Sequence, residues 1–346
     1  MTDLGFLSPA IVLCGGSLFV LLAGLWIKSR GFLVGASIIT LLISGALYFS
    51  MSGQKAQSFF YGLIVHDSFA LFFALFAVLV TLLGTMFAAV SPDIKSDRRG
   101  EYFAITLALC TGLIFMASAN HMLMAYLALE TVSILSFTLA GFLRERNSST
   151  EASLKYVVYG AMASAIMVFG MSFIYGSTGA MTFTGIREYF AQTPIQEVPS
   201  LLWLGALFVF AGIGYKISAA PMHMWTPDVY EGAPTPVSAL LSVAPKAAGI
   251  ALLVRFYVTG FTLPLAEGDG SVIAHLAQFP NAFHVVGPVG WSKLLVLSSI
   301  FTMFMGNLAA IGQDSVKRIL AYSSIAHAGY ILLGATTESA EGLYAM

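Results

Sequence analysis

Ten stretches of mainly apolar residues follow one another along the chain, and they limit its fold more than any other feature. The hydrocarbon core of a bilayer is about 30 Å thick, and an α-helix of about 20 residues crosses it. The alternating ten-residue segments that mark a membrane β-barrel do not occur. The sequence therefore predicts an all-α, polytopic transmembrane helix bundle. The stretches cover residues 6–27, 32–50, 69–90, 102–119, 122–143, 156–176, 201–220, 237–258, 294–311 and 319–336.

The composition supports the same fold class. Hydrophobic residues make up 58% of the chain and charged residues only 10%, whereas a soluble domain carries about 25% charged residues. A net charge of −1 leaves no basic footprint for nucleic acid, so no nucleic-acid partner is expected. Cys14 and Cys110 lie in separate apolar stretches without a CxxC spacing. They indicate neither a disulfide framework nor a metal site.

The basic residues of the loops predict how the chain crosses the membrane. Ten of them fall on one side of the stretches and four on the other, and the richer side is normally cytoplasmic. The first stretch is longer than a signal-peptide core and follows no basic residue, so we expect a retained helix with its N-terminus outside. A long external loop, 260–291, then carries Glu267 and Asp269. The loops expected in the cytoplasm are 91–101, 144–155, 225–236 and 312–318.

Three ionisable residues lie inside the apolar stretches, at Glu130, Lys216 and Lys246. Such groups cost several kcal/mol in a membrane and mark functional sites by default. Lys246 falls near the midplane and follows Pro245, which cannot donate a hydrogen bond to the carbonyl of Leu241. The proline predicts a kink and a free acceptor beside the amine. The alternative is a lysine that only packs helices and is tied to a carbonyl.

Glu130 and Lys216 together have the chemistry of a proton relay. Lys216 lies toward the cytoplasmic end of its stretch, and Pro221 predicts that this helix is broken. A lysine that snorkels to the surface is the alternative there. For Glu130, near mid-depth, the alternative is a neutral buried acid or a structural ion-pair partner. Desolvation and an opposite charge act in opposite directions on such groups, so separating a Glu–Lys pair can load or release a proton.

Histidines and one more lysine are secondary relay candidates. His223 and His327 can exchange protons near neutral pH, as can His121. His121 and His223 lie near helix ends, where a histidine that is merely hydrogen-bonded is the alternative. Lys155 begins a helix at the cytoplasmic edge in this interpretation, and snorkelling is its alternative.

Three segments carry a family resemblance. They are GYKISAAPMHMWTPDVYEGAPTPVSA (Gly214 to Ala239), EASLKYVVYGAMAS (Glu151 to Ser164) and QDSVKRILAYSSIAHAGY (Gln313 to Tyr330). The chain resembles the antiporter-like membrane subunit N of the proton-pumping NADH:quinone oxidoreductase, respiratory complex I, whose mitochondrial counterpart is subunit 2. The phrase HMWTPDVYEGAP is more typical of subunit N than of its relatives L and M.

The resemblance implies roles for particular residues. The family places an ion pair between a glutamate on its fifth helix and a lysine on its seventh, which match Glu130 and Lys216. A central lysine on the eighth helix matches Lys246, and a lysine at the start of the sixth matches Lys155. The seventh helix of the family is broken, in agreement with Pro221.

The resemblance also implies a division of the chain. Family members have about fourteen helices that include two inverted five-helix repeats. Here, helices 1–3 are expected in residues 1–100, the first repeat in 101–259, the external loop in 260–291 and the first two helices of the second repeat in 292–346. The C-terminal helices and the proton-exit lysine of the second repeat have no counterpart in the sequence.

Redox chemistry is expected on partner subunits. The sequence contains no Walker A motif, no GxGxxG and no metal or haem spacing. By the resemblance, NADH, flavin, iron–sulfur clusters and quinone belong to other subunits of a translocase in a bacterial inner membrane, and this chain binds no cofactor. Its partners are then other membrane subunits, lipids and protons. A subunit of a related cation/proton antiporter or membrane-bound hydrogenase is the alternative function, and a scaffold whose charges only pack helices is the structural one.

Overall fold

The computed structural model of the chain describes residues 3–263, 284–285, 291–337, 342, 345 and 346. Within these, ten helices are long and apolar enough to cross a membrane, and helices satisfy their own backbone hydrogen bonds there. The predicted all-α polytopic bundle is confirmed, with most helices within a few residues of the predicted stretches. The spanning helices are α2 (Ser8–Trp26), α3 (Arg30–Ser50), α4 (Ser68–Val90), α5 (Arg99–Ser118), α6 (Met122–Ala140), α7 (Asn147–Thr178), α9 (Ser200–Ile217), α11 (Thr235–Val254), α12 (Trp291–Ile311) and α13 (Val316–Thr336).

Shorter elements connect the spanning helices. An apolar-stretch criterion does not detect them, because each is too short or too polar to cross a bilayer. The predicted external loop 260–291 lies largely outside the described residues. The short helices are α1 (Asp3–Phe6), α8 (Phe183–Gln192) and α10 (Thr226–Gly232), with 3₁₀ turns at Ser96–Arg98 and Ile195–Glu197. Two antiparallel strand pairs join β1 (Gln57–Phe59) to β2 (Ile64–His66) and β3 (Thr262–Leu263) to β4 (His284–Val285).

The largest departure from the predicted bounds is α7. It has 32 residues and begins at Asn147, so Lys155 lies in its third turn and does not begin the helix. The prediction that Lys155 begins this helix was wrong, because hydropathy detects only the apolar part of a helix. A hydropathy criterion does not detect the polar first turns of α7. The helix ends at Gly179, whose positive φ of 68° suits a glycine.

Small residues allow the helices to approach closely. A Cβ built on Gly24 of α2 would lie 2.7 Å from the Cα of Gly100 on α5. On α7, a Cβ at Gly170 would lie 2.6 Å from the carbonyl oxygen of Gly205 on α9. Without a hydrophobic drive between helices in lipid, such close backbone contacts stabilise the bundle.

The predicted break of the seventh spanning helix is confirmed. Helix α9 ends at Ile217, and Ser218 takes the left-handed conformation with φ 63°, so the break precedes Pro221. The unwound backbone at Ala220 is bonded to α12, where the Thr302 hydroxyl accepts from its N–H at 2.8 Å and the Ser298 hydroxyl donates to its carbonyl at 3.1 Å. Non-helical backbone at membrane depth requires such partners.

We call the end of the bundle that holds Arg98, Arg146 and Arg318 the basic end, and the other the opposite end. The opposite end contains a buried ion pair that hydropathy did not indicate. Arg255, in a π-helical turn that continues α11, donates to both carboxylate oxygens of Asp67 at 2.9 and 3.0 Å. Both side chains are at most 2% exposed.

Candidate functional site

Lys216 is buried near the end of α9, just before the helix break. The residue is 1% exposed, so the alternative of a lysine that snorkels to the surface is wrong. Its Nζ donates to the hydroxyl of Ser133 on α6 at 3.1 Å and lies 5.9 Å from the ring centroid of Tyr156 on α7. Among the described residues, no carboxylate oxygen comes within 4.0 Å of this amine.

Glu130 lies on the same side of α6 as the serine that Lys216 contacts. Ser133 follows it by three residues, a spacing that places two side chains on one helix face. The hydroxyl of Ser164 on α7 donates to Oε1 of Glu130, and the carboxylate is near enough to act electrostatically on Lys216. In the structure each of the two residues is bonded to its own serine, Lys216 to Ser133 and Glu130 to Ser164. A direct ion pair does not occur in the part of the chain that the structure describes.

Lys246 is the second buried amine, and it is 6% exposed. Its Nζ donates to the carbonyl of Ser324 at 2.9 Å and to the hydroxyl of the same residue at 2.8 Å. The carbonyl that Pro245 releases is not a free acceptor beside the amine, contrary to prediction. The hydroxyl of Tyr230 donates to that carbonyl, at Leu241, at 3.2 Å. The Tyr230 ring also lies 5.8 Å from the amine, so this residue contacts both features.

A cavity of about 570 Å³ opens beside Lys246, between α4, α11 and α13. Ser324 and His327 line it together with the amine, and four phenylalanines of α4 form much of the remaining wall. The Nδ1 of His327 is hydrogen-bonded to the carbonyl of Ser323 at 2.7 Å. A space of this size with polar groups on one wall can hold several waters. The structure thus brings His327 and Lys246 to one cavity.

Lys155 is held by two carboxylates at the basic end. Its Nζ lies 2.7 Å from Glu151 and 2.7 Å from Asp228. Asp228 lies on α10 and also contacts Arg318 at 2.6 Å. Partial burial acts to raise the pKa of Asp228, but hydrogen bonds from Lys155 and Arg318 and their charges hold that pKa below its ordinary value. The carboxylate is therefore ionised at neutral pH.

The remaining histidines differ. His121 caps α6, and its Nδ1 accepts from the backbone N–H of Leu123 at 3.1 Å, as the hydrogen-bonded alternative predicted. His223 lies in the unwound segment after α9, and among the described residues its buried Nδ1 has no hydrogen-bond partner.

The sequence did not single out three residues that contact the candidate lysines: Tyr156 beside Lys216, Tyr230 beside Lys246, and Asp228 beside Lys155. Tyrosine in a membrane helix is usually a packing residue, and an acid in a loop between membrane helices is ordinary. The available signal was the segment WTPDVYEG (Trp225 to Gly232), in which aromatic and acidic residues lie between a helix break and a proline-containing helix.

The chain matches a known family. The family described as NADH:quinone oxidoreductase/Mrp antiporter, transmembrane, matches residues 119–267 and 271–346. NADH-quinone oxidoreductase subunit N 2 of Sorangium cellulosum is 41% identical, over 100% of this chain and 67% of the relative. NADH-quinone oxidoreductase subunit N of an Anaeromyxobacter species is 40% identical, over 97% of this chain and 64% of the relative. The chain thus spans about two thirds of the length of these relatives.

Solved structures agree with this assignment. A chain of respiratory complex I from Thermus thermophilus with bound aureothin has a TM-score of 0.74 and 30% identity, over 95% of this chain and 64% of that one. A chain of the Mrp complex from Dietzia has a TM-score of 0.75 and 20% identity, over 96% and 58%, which shows a shared fold alone. The resemblance found in the sequence is confirmed, and the chain belongs to the NADH:quinone oxidoreductase/Mrp antiporter family as a member similar to subunit N.

Proposed function

We propose that this chain is a proton-translocating membrane subunit of a bacterial NADH:quinone oxidoreductase. Its relatives of 41% and 40% identity carry the name of subunit N of that complex. The alternative, a subunit of a related cation/proton antiporter or membrane-bound hydrogenase, has less support, because the family description covers both oxidoreductases and antiporters and the Mrp structure, at 20% identity, shows the fold alone. In this proposal electron transfer occurs on other subunits, which hold NADH, flavin, iron–sulfur clusters and quinone, and this chain binds no cofactor.

The observation that carries the proposal is the way the two membrane-embedded lysines are held. Lys216 and Lys246 are buried, and their amines contact hydroxyls, one carbonyl and two aromatic rings. Within the described residues neither amine has a carboxylate within 4.0 Å. A salt bridge would fix an amine in its charged form, whereas neutral partners allow it to be charged or neutral. This is the property that a proton carrier needs.

The helix packing suggests how a proton passes between the two lysines. A Cβ built on Gly249 would lie 3.7 Å from the Cγ of Lys216 and 2.6 Å from Cγ2 of Ile217, so α9 and α11 touch at Gly249. Lys246 precedes Gly249 by three residues, which puts the two on one face of α11. The backbone positions of Lys216 and Lys246 are therefore offset by about one helical turn, roughly 5 Å along α11, and their amines point to different helices, α6 and α13. A lateral proton step from Lys216 to Lys246 would have to cross the gap between them. Waters in the gap would complete such a step.

The proposed direction of transfer follows the charges. Protons enter from the basic end near Lys155, reach Lys216 under the influence of Glu130, and move to Lys246 and the cavity that holds His327. His223, in the unwound segment, is a secondary carrier. We propose that the basic end faces the cytoplasm and that the N-terminus lies outside. The division into residues 1–100, 101–259, 260–291 and 292–346 belongs to the same proposal.

The partners in this proposal are other membrane subunits of the complex and lipids. Many large apolar side chains of the spanning helices are exposed, for example Leu18 at 60% and Leu297 at 68%. Exposed apolar faces on this scale require lipid or another membrane subunit to cover them.

The test replaces Lys246 by methionine, which keeps most of the volume and removes the charge. We expect assembled complex with proton pumping lowered by an order of magnitude, or about 1.4 kcal/mol in the barrier. Pumping is measured in reconstituted vesicles and divided by the amount of assembled complex. Lys293→Met is the matched control, because Lys293 is an exposed lysine at the start of α12. Normal pumping by a fully assembled Lys246→Met complex would make Lys246 a packing residue.

A further inference from the structure

The short helix α10 connects the surroundings of all three functional lysines. It follows the unwound segment after α9 and precedes α11, and it packs between α7 and α13. Three side chains on or next to it point to different lysines. A helix of seven residues moves as one body, so a displacement at one of these contacts is transmitted to the others.

The first contact leads to Lys216. Trp225, which precedes α10, stacks on Tyr156 with ring centroids 4.2 Å apart, and the Lys216 amine lies near the Tyr156 ring. The indole N–H of Trp225 donates to the carbonyl of Tyr215 at 3.0 Å. The hydroxyl of Tyr215 donates in turn to the carbonyl of Tyr156 at 2.8 Å. The start of α10 therefore fixes the aromatic wall beside Lys216.

The second contact leads to Lys246. Tyr230 of α10 bonds to the carbonyl of Leu241 that Pro245 releases, and its ring lies beside the Lys246 amine. The carbonyl of Tyr230 also accepts from the hydroxyl of Ser238 at 2.8 Å. The end of α10 is thus attached to the first half of the helix that carries Lys246.

The third contact joins α10 to two other helices through one carboxylate. One carboxylate oxygen of Asp228 accepts a hydrogen bond from Lys155 of α7 at 2.7 Å, and the other accepts one from Arg318 of α13 at 2.6 Å. Arg318 also reaches Glu231 at 3.0 Å. The same helix α13 carries Ser324, the partner of Lys246. Asp228 is therefore the acid of α10 that contacts both a relay lysine and the helix that holds Lys246.

We infer that Asp228 is a positioning residue for proton transfer, because its bridge between Lys155 and Arg318 sets the place of α10 and thereby the aromatic neighbours of Lys216 and Lys246. This rests on the proposed function above. Lys155 also contacts a second acid, Glu151. If Lys155 kept Glu151 and released Asp228, α10 would shift relative to the amines of both Lys216 and Lys246. Coupling through a packed element with two arrangements is a physical route between distant sites.

Asp228→Asn tests this directly in membranes that contain the assembled complex. The asparagine keeps the volume and removes the charge, and we expect pumping per complex to fall about threefold or more, within the range for changes along a coupling network. Asp228→Glu should retain most of the pumping because it keeps the carboxylate. A packing role predicts the reverse, since asparagine is the closer fit. Glu231→Gln is the control, an acid of the same helix that contacts Arg318 but not Lys155.

The outcomes are distinguishable. If the wild-type complex pumps protons and the Asp228→Asn complex pumps equally well, the inference is overturned. If the wild-type complex itself moves no protons, the proposed function is overturned. If Asp228→Asn does not assemble, Arg318→Gln decides, because it removes the contact of Asp228 with α13 and keeps the contact with Lys155. Reduced pumping by assembled Arg318→Gln supports the inference, and normal pumping overturns it. A larger loss in Glu231→Gln than in Asp228→Asn also overturns it.

Discussion

The two ends of the bundle hold their charges in different ways. At the opposite end, Asp67 and Arg255 form a bidentate pair that is at most 2% exposed, and the guanidinium also donates to the carbonyl of Ala117 at 2.8 Å. At the basic end, Asp228 shares its oxygens between Lys155 and Arg318, whose side chains are 39% and 27% exposed. The first pair is buried and bidentate, whereas the second is partly exposed to solvent and has competing partners in Glu151 and Glu231.

Between the ends lie two buried lysines, and no carboxylate of the described residues contacts either amine. Arg255 cannot release its proton in a protein, and the fold gives it an acid. Lys216 and Lys246 can release theirs, and the fold gives them hydroxyls and aromatic rings. Among the buried cations, the arginine that keeps its proton is therefore paired with a carboxylate, and the two lysines that can release theirs are held by neutral groups. Each prediction below alters one side of this comparison.

The largest effect is expected at the opposite end. Asp67→Asn keeps an N-cap for α4, where the native side chain accepts from the N–H of Ala70, but leaves Arg255 buried without its counter-charge. Removing one partner of a buried pair costs about 3–5 kcal/mol, so we expect a lower melting temperature and less assembled complex. The double variant Asp67→Asn, Arg255→Met should regain most of the loss, because it leaves no unpaired charge.

Exposed Glu145 at the basic end provides the control for that experiment. Its contacts with Lys95 and Arg98 lie at the surface, where ion pairs contribute little. Glu145→Gln should leave the melting temperature near that of the wild type. If Asp67→Asn has as small an effect, the Asp67–Arg255 pair does not stabilise the fold as we describe.

A smaller effect is expected for the Glu130–Lys216 couple. Glu130→Gln and Lys216→Met should each lower pumping. The double variant should pump at least as fast as the less active of the two single variants. The reason is that each change removes the same electrostatic interaction, and contacting residues couple by about 0.5–3 kcal/mol. Pumping per assembled complex is measured for all four proteins. Losses that simply multiply in the double variant would mean that the two residues act independently.

The stabilisation that the Asp67–Arg255 ion pair gives to the fold is predicted to change little with pH near neutrality. Burial acts to raise the pKa of Asp67, but the charge and hydrogen bonds of Arg255 outweigh it, so this pKa lies below its ordinary value. A carboxylate with a depressed pKa stabilises the fold above its unfolded pKa, about 3.9, and the contribution is lost as the pH falls through the folded value. The melting-temperature gap between wild type and Asp67→Asn should therefore stay constant from about pH 8 to about pH 5 and narrow only in stronger acid. A gap that closes near neutral pH contradicts this assignment.

The sequence predicts those features that are encoded locally. A membrane helix needs about twenty apolar residues in a row, so all ten spans could be located, and a lysine in such a stretch stands out by its cost. The break after Lys216 was also visible, from Pro221. The start of α7 was not, because its polar turns resemble a loop.

The features that were missed depend on distant contacts. Asp67 and Arg255 are 188 positions apart, and neither is unusual where it stands in the sequence. The carbonyl that Pro245 releases was predictable, but its partner Tyr230 depends on where α10 packs. Likewise, Glu130 and Lys216 were predicted to approach each other, but the serines to which each is bonded depend on the helix faces that meet in three dimensions.

The last prediction concerns which end faces the cytoplasm, and it should leave activity unchanged. Ser148 at the basic end and Ser52 at the opposite end are both exposed. In a background with Cys14 and Cys110 replaced by alanine, an impermeant thiol reagent added to intact cells should label Ser52→Cys and not Ser148→Cys. The reason is the excess of Lys and Arg at the basic end, which normally stays in the cytoplasm. Permeabilised cells should label both variants, which confirms that each thiol can react. Labelling of Ser148→Cys alone in intact cells would invert the proposed direction of proton entry, because Lys155 and Asp228 would then lie outside.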